Sequence, residues 1–512
     1  MFTSIFNDVL GPVMRGPSSS HTAGSYHIGL TARQLLGKEP KRVSVSFDMN
    51  GSYAKTYSQQ GVDLAFITGI MGWKQTDEIF LRAISAAADK GVQVNFETTL
   101  IQQADHPNFV IIELLDLDNH SLKIAAKSIG GGTFNLVKVD GFDVLIDGKT
   151  FETLLTFQAH KKPDTIQAVE KYYPDAWIRN QVTTANITTL QLSSATPAPE
   201  NLQQLLPQIL EIRQCRPVYY TQKNAAQFNS ATEITDRAEN TGQSLGQIML
   251  EYEKNILGIS KQEAVEEMLA RYAIMKRSVL DGLKNDTVDM LLLEPTAGTI
   301  MENVQHNRVA IGGLHARAGA AALAAMHTCN SRGLVCAAPT GGAAGTLPGV
   351  ITTLEDEYQL SDTQIALMLF AAGGIGLILA IRGTFAAEVA GCQVEIGAAG
   401  AMASAAVVEF SGGSALQACD AAAISFQNTM GLVCDLVQGM CELPCHTRNA
   451  IAASSAFTNA DMILGGYVNH IHLDQTIDAV YSSGLLLPPE LRCTALGGIA
   501  LAPAAINLRR KR

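Results

Sequence analysis

The first part of the chain has the pattern of alternating strands and helices. Short runs rich in β-branched residues, such as "RVSVSFD" and "FVIIELLDL", predict strands. The segment "HTAGSYHIGLTARQLLG" carries apolar residues at helical spacing, and it predicts a helix that ends at Gly37. We therefore expect residues 1–137 to form an α/β domain.

Residues 138–220 predict a second, smaller domain with the order βαββαβ. The predicted strands and helices are "FDVLID", "TLLTFQA", "PDTIQAVEKYY" (a helix), "NITTLQLSS", "PENLQQLLPQILEI" (a helix) and "RPVYYT". A split βαβ pair of this kind is typical of a ferredoxin-like small domain.

From residue 221 onward alanine and glycine dominate, β-branched runs disappear, and apolar residues recur at helical spacing. Residues 221–512 are therefore predicted to form a large all-helical domain, which makes the chain an α+β multidomain protein. The 17-residue apolar run 365–381 reaches only the lower limit of a membrane span, contains a Gly-Gly pair and is followed by Arg382. We interpret it as a helix buried in this domain, and we expect no membrane association.

Composition restricts the partners. Hydrophobic residues make up 47% and charged residues 17% of the 512 residues, which indicates extensive buried surface and favours a homodimer or higher homo-oligomer. The net charge of −11 argues against nucleic acid as a partner. The start of the chain has neither a basic region nor a cleavage site typical of an export signal, so we expect a cytoplasmic protein.

The stretch "GPSSSHTAG", residues 16–24, concentrates hydroxyl groups just before the predicted helix. Ser18, Ser19 and Ser20 are expected at the helix N-terminus, where free N–H groups and the helix dipole attract an anion. One serine is enough for a plain helix cap, which is the alternative. Three serines with His21 favour a site for a small anion of carboxylate size.

Nine cysteines in a reducing compartment do not indicate a disulfide framework. Cys392, Cys434 and Cys445 lie in segments broken by glycine or proline and have polar neighbours, as ligands of an iron–sulfur cluster do. The chain has no C-x-x-C pair, so spacing alone leaves both ligation and packing open.

Five motifs occur in a characteristic order: "GPSSSHTAG", "SIGGG", "APTGGAAG", "GCQVEIG" and "CDLVQGMCELPCHTRNA". Together they resemble the iron–sulfur-dependent L-serine dehydratases (L-serine ammonia-lyases). The resemblance covers nearly the whole chain and is to the form in which a β part, an ACT-like domain and an α part are fused.

The resemblance implies an enzyme that converts L-serine to pyruvate and ammonia with a [4Fe-4S] cluster and without pyridoxal phosphate. It implies cluster ligation by Cys392, Cys434 and Cys445, with Cys441 outside the ligand set. It also implies catalytic roles for His21 and Ser20. The residues it implies in binding the amino-acid or hydroxy-acid substrate are Ser18, Ser19, Ser20, Thr22, Asp63, Gly131, Thr340, Gly341, Arg382 and Asn449.

The chain departs from the family pattern at presumed substrate contacts. Gln60 occupies the position of a histidine that is a candidate base in the family, and an amide cannot accept a proton near neutral pH. Arg382 stands where an amide is expected, and it either pairs with a second substrate carboxylate or caps its helix. These changes are either neutral drift or signs of another substrate, such as L-cysteine or a hydroxy-dicarboxylate.

The ACT-like segment lacks the usual glycine before its first helix, where the chain reads "AHKKPDT". A structural role is therefore expected for this domain rather than effector binding. A non-catalytic amino-acid sensor is the third alternative, and the cysteine triad argues against it because a sensor needs no cluster.

Overall fold

The computed structural model describes residues 3–284 and 288–511. The fold is α+β, as predicted from the sequence. The chain divides into two compact units: one contains the residues up to Thr22 together with those from Asn224 onward, and the other contains Ala23–Lys223. The N-terminal segment therefore belongs with the helical part, whereas the sequence assigned it to the α/β domain.

The N-terminal segment contains α1 (Ile5–Asp8), β1 (Val13–Arg15) and a π-helical turn, Ser19–Ala23. The elements of the Ala23–Lys223 unit follow in chain order: α2 (Gly24–Leu36), β2 (Pro40–Asp48), α3 (Ser52–Thr56), α4 (Val62–Ile70), α5 (Ala83–Asp89), β3 (Gln93–Thr99), β4 (Phe109–Asp116), β5 (Ser121–Gly130), β6 (Thr133–Val139), β7 (Phe142–Ile146), β8 (Phe151–Gln158), α6 (Lys162–Tyr172), β9 (Trp177–Thr184), β10 (Ile187–Ser194), α7 (Leu202–Leu205) and β11 (Ile209–Cys215).

A six-stranded sheet with the order β3-β2-β4-β5-β6-β7 forms the first layer of this unit. Strands β2 and β3 are parallel and the other neighbours are antiparallel. Helices α2 and α4 cross closely because both carry a glycine at the crossing. A Cβ on Gly29 would lie 2.7 Å from the carbonyl oxygen of Phe66, and one on Gly69 would lie 2.3 Å from that of Tyr26.

The second sheet has the order β11-β8-β10-β9, and with α6 and α7 it realises the predicted βαββαβ order. Three elements differ from the sequence prediction. The predicted strand "FDVLID" contributes β7 to the six-stranded sheet, β9 was not anticipated, and the last strand is β11 rather than "RPVYYT". Pro207 explains the last difference, because it cannot continue the helix predicted around it, and the chain emerges as a strand at Ile209.

The elements of the helical unit after Asn224 are α8 (Ala231–Thr241), α9 (Leu245–Leu257), α10 (Lys261–Gly282), α11 (Ala297–Gln305), α12 (Leu314–Asn330), β12 (Leu334–Cys336), α13 (Thr346–Tyr358), α14 (Asp362–Arg382), α15 (Ala387–Ala390), α16 (Ile396–Phe410), α17 (Ala415–Thr429), β13 (Cys434–Asp435), α18 (Cys445–Leu464), α19 (Leu473–Leu485), β14 (Arg492–Thr494) and α20 (Pro503–Ile506). Short strands interrupt the predicted all-helical domain: β12 pairs with β1, and β13 pairs in parallel with β14.

Helix α14 forms the centre of this unit. By length and composition it is apolar enough to cross a membrane, but 78% of its most apolar window is buried inside the protein, as expected for a core helix. Glycines in α14 allow the N-terminal segment to approach closely. A Cβ on Gly373 would lie 2.6 Å from a side-chain atom of Ile5, and one on Gly376 would lie 2.2 Å from one of Val9, so larger residues would clash there. The apolar side of α1 therefore packs on α14, which accounts for the position of the N-terminal segment.

Candidate active site

The serine-rich stretch folds as a buried turn that holds a histidine ring. The Oγ atoms of Ser18 and Ser20 each lie 3.2 Å from Nδ1 of His21, and they lie 3.3 Å from each other. Ser18 also accepts the backbone N–H of His21 at 3.3 Å, which is the capping role considered as the alternative. All three side chains are buried, and the backbone N–H of the buried Thr22 donates to the carbonyl of Ser18 at 2.7 Å. The turn therefore orients His21 through two hydroxyl groups.

A second loop, which contains Thr340 and Gly341, packs directly on this turn. The N–H of Gly341 donates to Oγ of Ser19 at 3.2 Å. A Cβ on Gly341 would lie 2.8 Å from the backbone nitrogen of Ser19, so only glycine permits this approach. The thiol of Cys329 donates to the carbonyl of Pro17 at 3.5 Å and to that of Gly341 at 3.3 Å, and it therefore connects the turn to the loop.

Asn449 of α18 fixes the far side of the same loop. Its Oδ1 accepts the backbone N–H groups of Gly345 and Thr346 at 3.1 Å and the Thr346 hydroxyl at 3.0 Å. Its Nδ2 donates to the carbonyls of Gly342 and Cys445 at 2.8 and 2.9 Å. The resemblance implied that Asn449 binds substrate, whereas its amide here connects the loop to the helix that begins with Cys445.

The three cysteines predicted as ligands lie in one buried apolar cluster of the fold. The thiols of Cys392 and Cys434 are hydrogen bonded, and this bond together with burial raises the pKa of the Cys392 thiol. Cys441 belongs to the same cluster and its thiol bonds that of Cys445. The sequence prediction separated Cys441 from the ligands by pattern, and the structure places it beside them.

Cys493 is a fifth thiol of this group, and it is not among the ligands predicted from the sequence. It lies on β14, hydrogen bonded to the thiol of Cys434. Its backbone has φ of 59°, in the left-handed region that non-glycine residues seldom adopt. The parallel pairing of β13 with β14 brings it there, and no local sequence signal announces a pairing between strands this short and this far apart.

Charged groups border the thiols. Arg448 donates to Sγ of Cys392 at 3.6 Å and to a carboxylate oxygen of Asp435 at 2.9 Å. Glu395 lies 3.9 Å from Sγ of Cys392, and Thr340 donates a hydrogen bond to it. The ligand atoms of Cys392, Glu395 and Cys434 all lie within 4.8 Å of one another.

This donor set fits an iron–sulfur cluster. Such clusters need several thiolates in a dry surrounding, with hydrogen bonds to sulfur that offset the negative charge. Buried cysteines supply the thiolates, and the guanidinium of Arg448 supplies both a positive charge and an N–H group directed at sulfur. Cys392, Cys434 and Cys445 are the ligands that the resemblance implies, and Cys441 and Cys493 lie in the same group of thiols.

Other predicted site residues have different surroundings. Arg382 forms a bidentate ion pair with Asp478 of α19, with Nε 2.9 Å from Oδ1, so its carboxylate partner in this structure belongs to the protein. Gln60, Asp63 and Gly131 lie in the Ala23–Lys223 unit. Asp63 lies in the first turn of α4, and its carboxylate accepts the N–H of Leu64 at 2.8 Å.

The glycine motif forms the tip of the β5–β6 hairpin. Gly130, Gly131 and Gly132 have φ of 103°, 62° and 87°, which explains why the turn consists of glycine. The buried ring of His27 on α2 holds this tip, with Nδ1 3.0 Å from the carbonyl of Gly132, and the hydroxyl of Tyr219 donates to the same carbonyl at 2.7 Å.

Burial lowers the pKa of His27 to about 4, against the smaller raising effect of the Gly132 carbonyl. The unfolded state therefore binds more protons below about pH 6.5, so His27 destabilises this unit as the pH falls from about 6.5 towards 4. We expect His27→Gln to reduce the loss of unfolding free energy between pH 8 and 5.5 by about 1.4 kcal/mol. Urea unfolding followed by tryptophan fluorescence measures it, because Trp73 and Trp177, the only tryptophans of the sequence, both lie in this unit.

His160→Gln is the matched control, because this histidine is exposed. An unchanged pH dependence in His27→Gln, or an equal reduction in His160→Gln, would contradict the assignment of the effect to burial of His27.

Comparison with known proteins agrees with the arrangement of these motifs. The family model described as serine dehydratase alpha chain matches residues 239–500. A probable L-serine dehydratase alpha chain of Bacillus subtilis is 32% identical over 284 residues, which cover 56% of this chain and 95% of the relative. A probable L-serine dehydratase beta chain of the same organism is 41% identical over 147 residues, or 29% of this chain and 64% of the relative.

The likeness also extends along the whole chain. An L-serine dehydratase of Haemophilus influenzae is 26% identical over 519 aligned positions, which cover 95% of this chain and 96% of the relative. The family model spans half of the chain, and the three cysteines predicted as ligands and the Thr340 loop lie within the matched region. The chain therefore belongs to the serine dehydratase family.

Proposed function

We propose that the protein is an L-serine ammonia-lyase that converts L-serine to pyruvate and ammonia, with a [4Fe-4S] cluster held by Cys392, Cys434 and Cys445. The observation that carries this proposal is the continuous contact between the serine-rich turn and the thiols. Gly341 donates to Ser19, and its neighbour Thr340 bonds Glu395, which lies 3.9 Å from Sγ of Cys392. A small substrate that occupies the turn is thereby held next to the thiols.

The turn offers donors for the substrate carboxylate. Ser19 accepts the N–H of Gly341 and has its own hydroxyl proton to donate. Ser19 lies at the start of the π-helical turn, and a helix start is the kind of place where proteins bind small anions. The turn is buried, so these hydrogen bonds form with little competition from water.

The reaction removes the α-proton and the β-hydroxyl of serine. His21 is the proton acceptor in this proposal, because the two serine hydroxyl groups orient its ring. When bound, the cluster supplies a Lewis acid that makes the hydroxyl a better leaving group. The Cα–H and Cβ–O bonds break, a C=C bond forms, water leaves, and the resulting aminoacrylate tautomerises and hydrolyses to pyruvate and ammonia.

The ion pair of Arg382 bears on the alternative substrates. A hydroxy-dicarboxylate would need a second cation in the site, and the guanidinium considered for that role is engaged by Asp478. The arrangement therefore favours a monocarboxylate such as L-serine. L-cysteine and hydroxy-dicarboxylates remain competitors in the test.

We expect anaerobically reconstituted protein to release pyruvate and ammonia from L-serine faster than it releases keto acid from L-threonine, L-cysteine or hydroxy-dicarboxylates. Ser19→Ala should raise KM for L-serine about tenfold, the cost of one hydrogen bond to a charged group, and leave iron content unchanged. Ser278→Ala is the control, since this buried hydroxyl donates to the carbonyl of Met275 within α10. Turnover of a dicarboxylate without turnover of L-serine would contradict the proposal.

A further inference from the structure

Glu388 is a buried carboxyl group in the helical unit for which the sequence analysis found no role. It lies on the short helix α15, four residues before Cys392, and its side chain is 6% exposed. Burial raises the pKa of Glu388 to about 7, and the charge of Glu395 contributes, whereas hydrogen bonds from its own N–H and from Ser20 oppose the shift. A carboxyl group is seldom buried to this degree without a specific partner.

Glu388 accepts hydrogen bonds from its own backbone N–H and from the hydroxyl of Ser20. The buried Glu253 and the half-buried Glu409 of this unit also accept a serine hydroxyl, but both additionally accept backbone N–H groups at the start of another helix. The serine that Glu388 binds belongs to the turn that holds His21. Ser20 Oγ lies 3.2 Å from Nδ1 of His21, so the three side chains form one chain of hydrogen bonds.

We propose that Glu388 is a positioning residue for proton transfer: through the hydroxyl of Ser20 it sets the tautomer of His21. This inference rests on the proposed function, in which His21 removes the α-proton. In many enzymes a second group orients the base, and here a serine hydroxyl lies between the orienting carboxylate and the histidine ring.

The direction of the hydrogen bonds follows from the donors available. An ionised carboxylate only accepts, so the Ser20 hydroxyl proton must point to Glu388. The oxygen of Ser20 then presents lone pairs to the ring and accepts from Nδ1–H of His21. A neutral imidazole with its proton on Nδ1 has its basic lone pair on Nε2, so Nε2 is the proton-accepting nitrogen of this tautomer.

Proton transfer along this chain is balanced. The substrate Cα–H bond breaks and an N–H bond forms at Nε2 of His21. The Nδ1 proton passes to Oγ of Ser20, and the Ser20 hydroxyl proton passes to the Glu388 carboxylate. The Nε2 proton of His21 then passes to the substrate hydroxyl, which leaves as water. A proton returns from Glu388 through Ser20 to Nδ1 of His21, so every group is back in its starting state.

Glu388→Gln tests the proposal because it keeps the shape and replaces one oxygen by an N–H donor. The amide can donate to Ser20, which then turns its hydroxyl proton towards Nδ1 and moves the His21 proton to Nε2. The readout is the ¹⁵N spectrum of protein labelled at the histidine ring nitrogens, at pH 8, with the His21 signals assigned by their loss in His21→Ala. We expect the Nδ1–H tautomer of His21 in the wild type and the Nε2–H tautomer in the variant.

Kinetics give the second readout. We expect kcat for L-serine to fall about 100-fold or more in Glu388→Gln, the usual contribution of a general base, with KM and iron content changed less than about threefold. The isotope effect with L-serine deuterated at Cα should increase, since proton removal becomes slower. Glu388→Asp keeps the carboxylate and should recover part of kcat together with the wild-type tautomer.

Glu409→Gln is the matched control, because Glu409 is a half-buried glutamate that also accepts a serine hydroxyl, that of Ser244. It should leave the His21 signals and kcat unchanged. If Glu388→Gln unfolds, Ser20→Ala removes the middle of the chain and should change the His21 tautomer in the same way.

The two proposals fail in different ways. Wild-type His21 signals in both Glu388→Gln and Ser20→Ala would overturn the role of Glu388 even if the enzyme acts on L-serine. A changed tautomer in a protein that never turns over L-serine would support the hydrogen-bond chain and refute the proposed substrate.

Discussion

Cys434→Ser is expected to abolish iron retention by the anaerobically reconstituted protein, and Cys392→Ser and Cys445→Ser should do the same. Iron–sulfur clusters are held by thiolates, and a serine hydroxyl does not ionise readily enough to replace one. Iron and acid-labile sulfide per chain, together with the absorbance of the thiolate-to-iron band, measure the effect. L-serine turnover should disappear with the iron.

Two other cysteines serve as controls for this prediction. Cys419 is buried in α17 within the helical core, so Cys419→Ser changes a buried thiol without changing the proposed ligands. Cys441→Ser should also retain iron, although its thiol bonds that of Cys445, because three ligands are assigned to the cluster. Equal iron loss in Cys441→Ser and Cys445→Ser would refute this ligand set.

Asn449→Ala is expected to lower the free energy of unfolding by about 3 kcal/mol and to reduce turnover strongly. The variant leaves the backbone N–H groups of Gly345 and Thr346 and the carbonyl of Gly342 buried without their partner, at about 1–3 kcal/mol for each unsatisfied group before relaxation. The loop that carries Thr340 would then lose its connection to α18. Urea unfolding and the rate of L-serine turnover measure the two effects.

Asn459→Ala provides the comparison on the same helix. Asn459 is also buried, and its amide donates to the hydroxyl of Ser404 at 3.1 Å. Its removal should cost about 1 kcal/mol and leave turnover near the wild-type value. Equal loss of stability in the two variants would show that the loop contacts of Asn449 contribute nothing particular.

Much of the fold could be predicted because local signals agree with it. Gly37 ends α2 with φ of 77°, and the apolar run before Arg382 is the buried helix α14. The errors arose where contacts between segments distant in the sequence decide the structure. The sequence of the strand "FDVLID" does not indicate which sheet it joins. The helix predicted around Pro207 is replaced after this residue by the strand β11.

The site was predictable in its residue types and less so in their roles. The serine-rich stretch and three cysteines stand out by composition, and the fold gathers the cysteines in one cluster. The substrate role implied for Asn449 stays a prediction, and only the fold identifies the loop groups at Gly345 and Thr346 that its side chain binds. Glu388 and Cys493 carry no local signal, because each acquires its partner through packing between segments distant in the chain.

The place of the N-terminal helix on α14 has a consequence for synthesis of the chain. Ser4 bonds Glu253, 249 residues later, and Ser19 accepts the N–H of Gly341, 322 residues later. At about 5–20 residues per second, the ribosome needs about 12 to 65 s to produce these partners. Through that interval Ile5, Phe6 and Val9 have no core to enter, so the nascent protein presents them as a transient apolar site until the helices around α14 emerge.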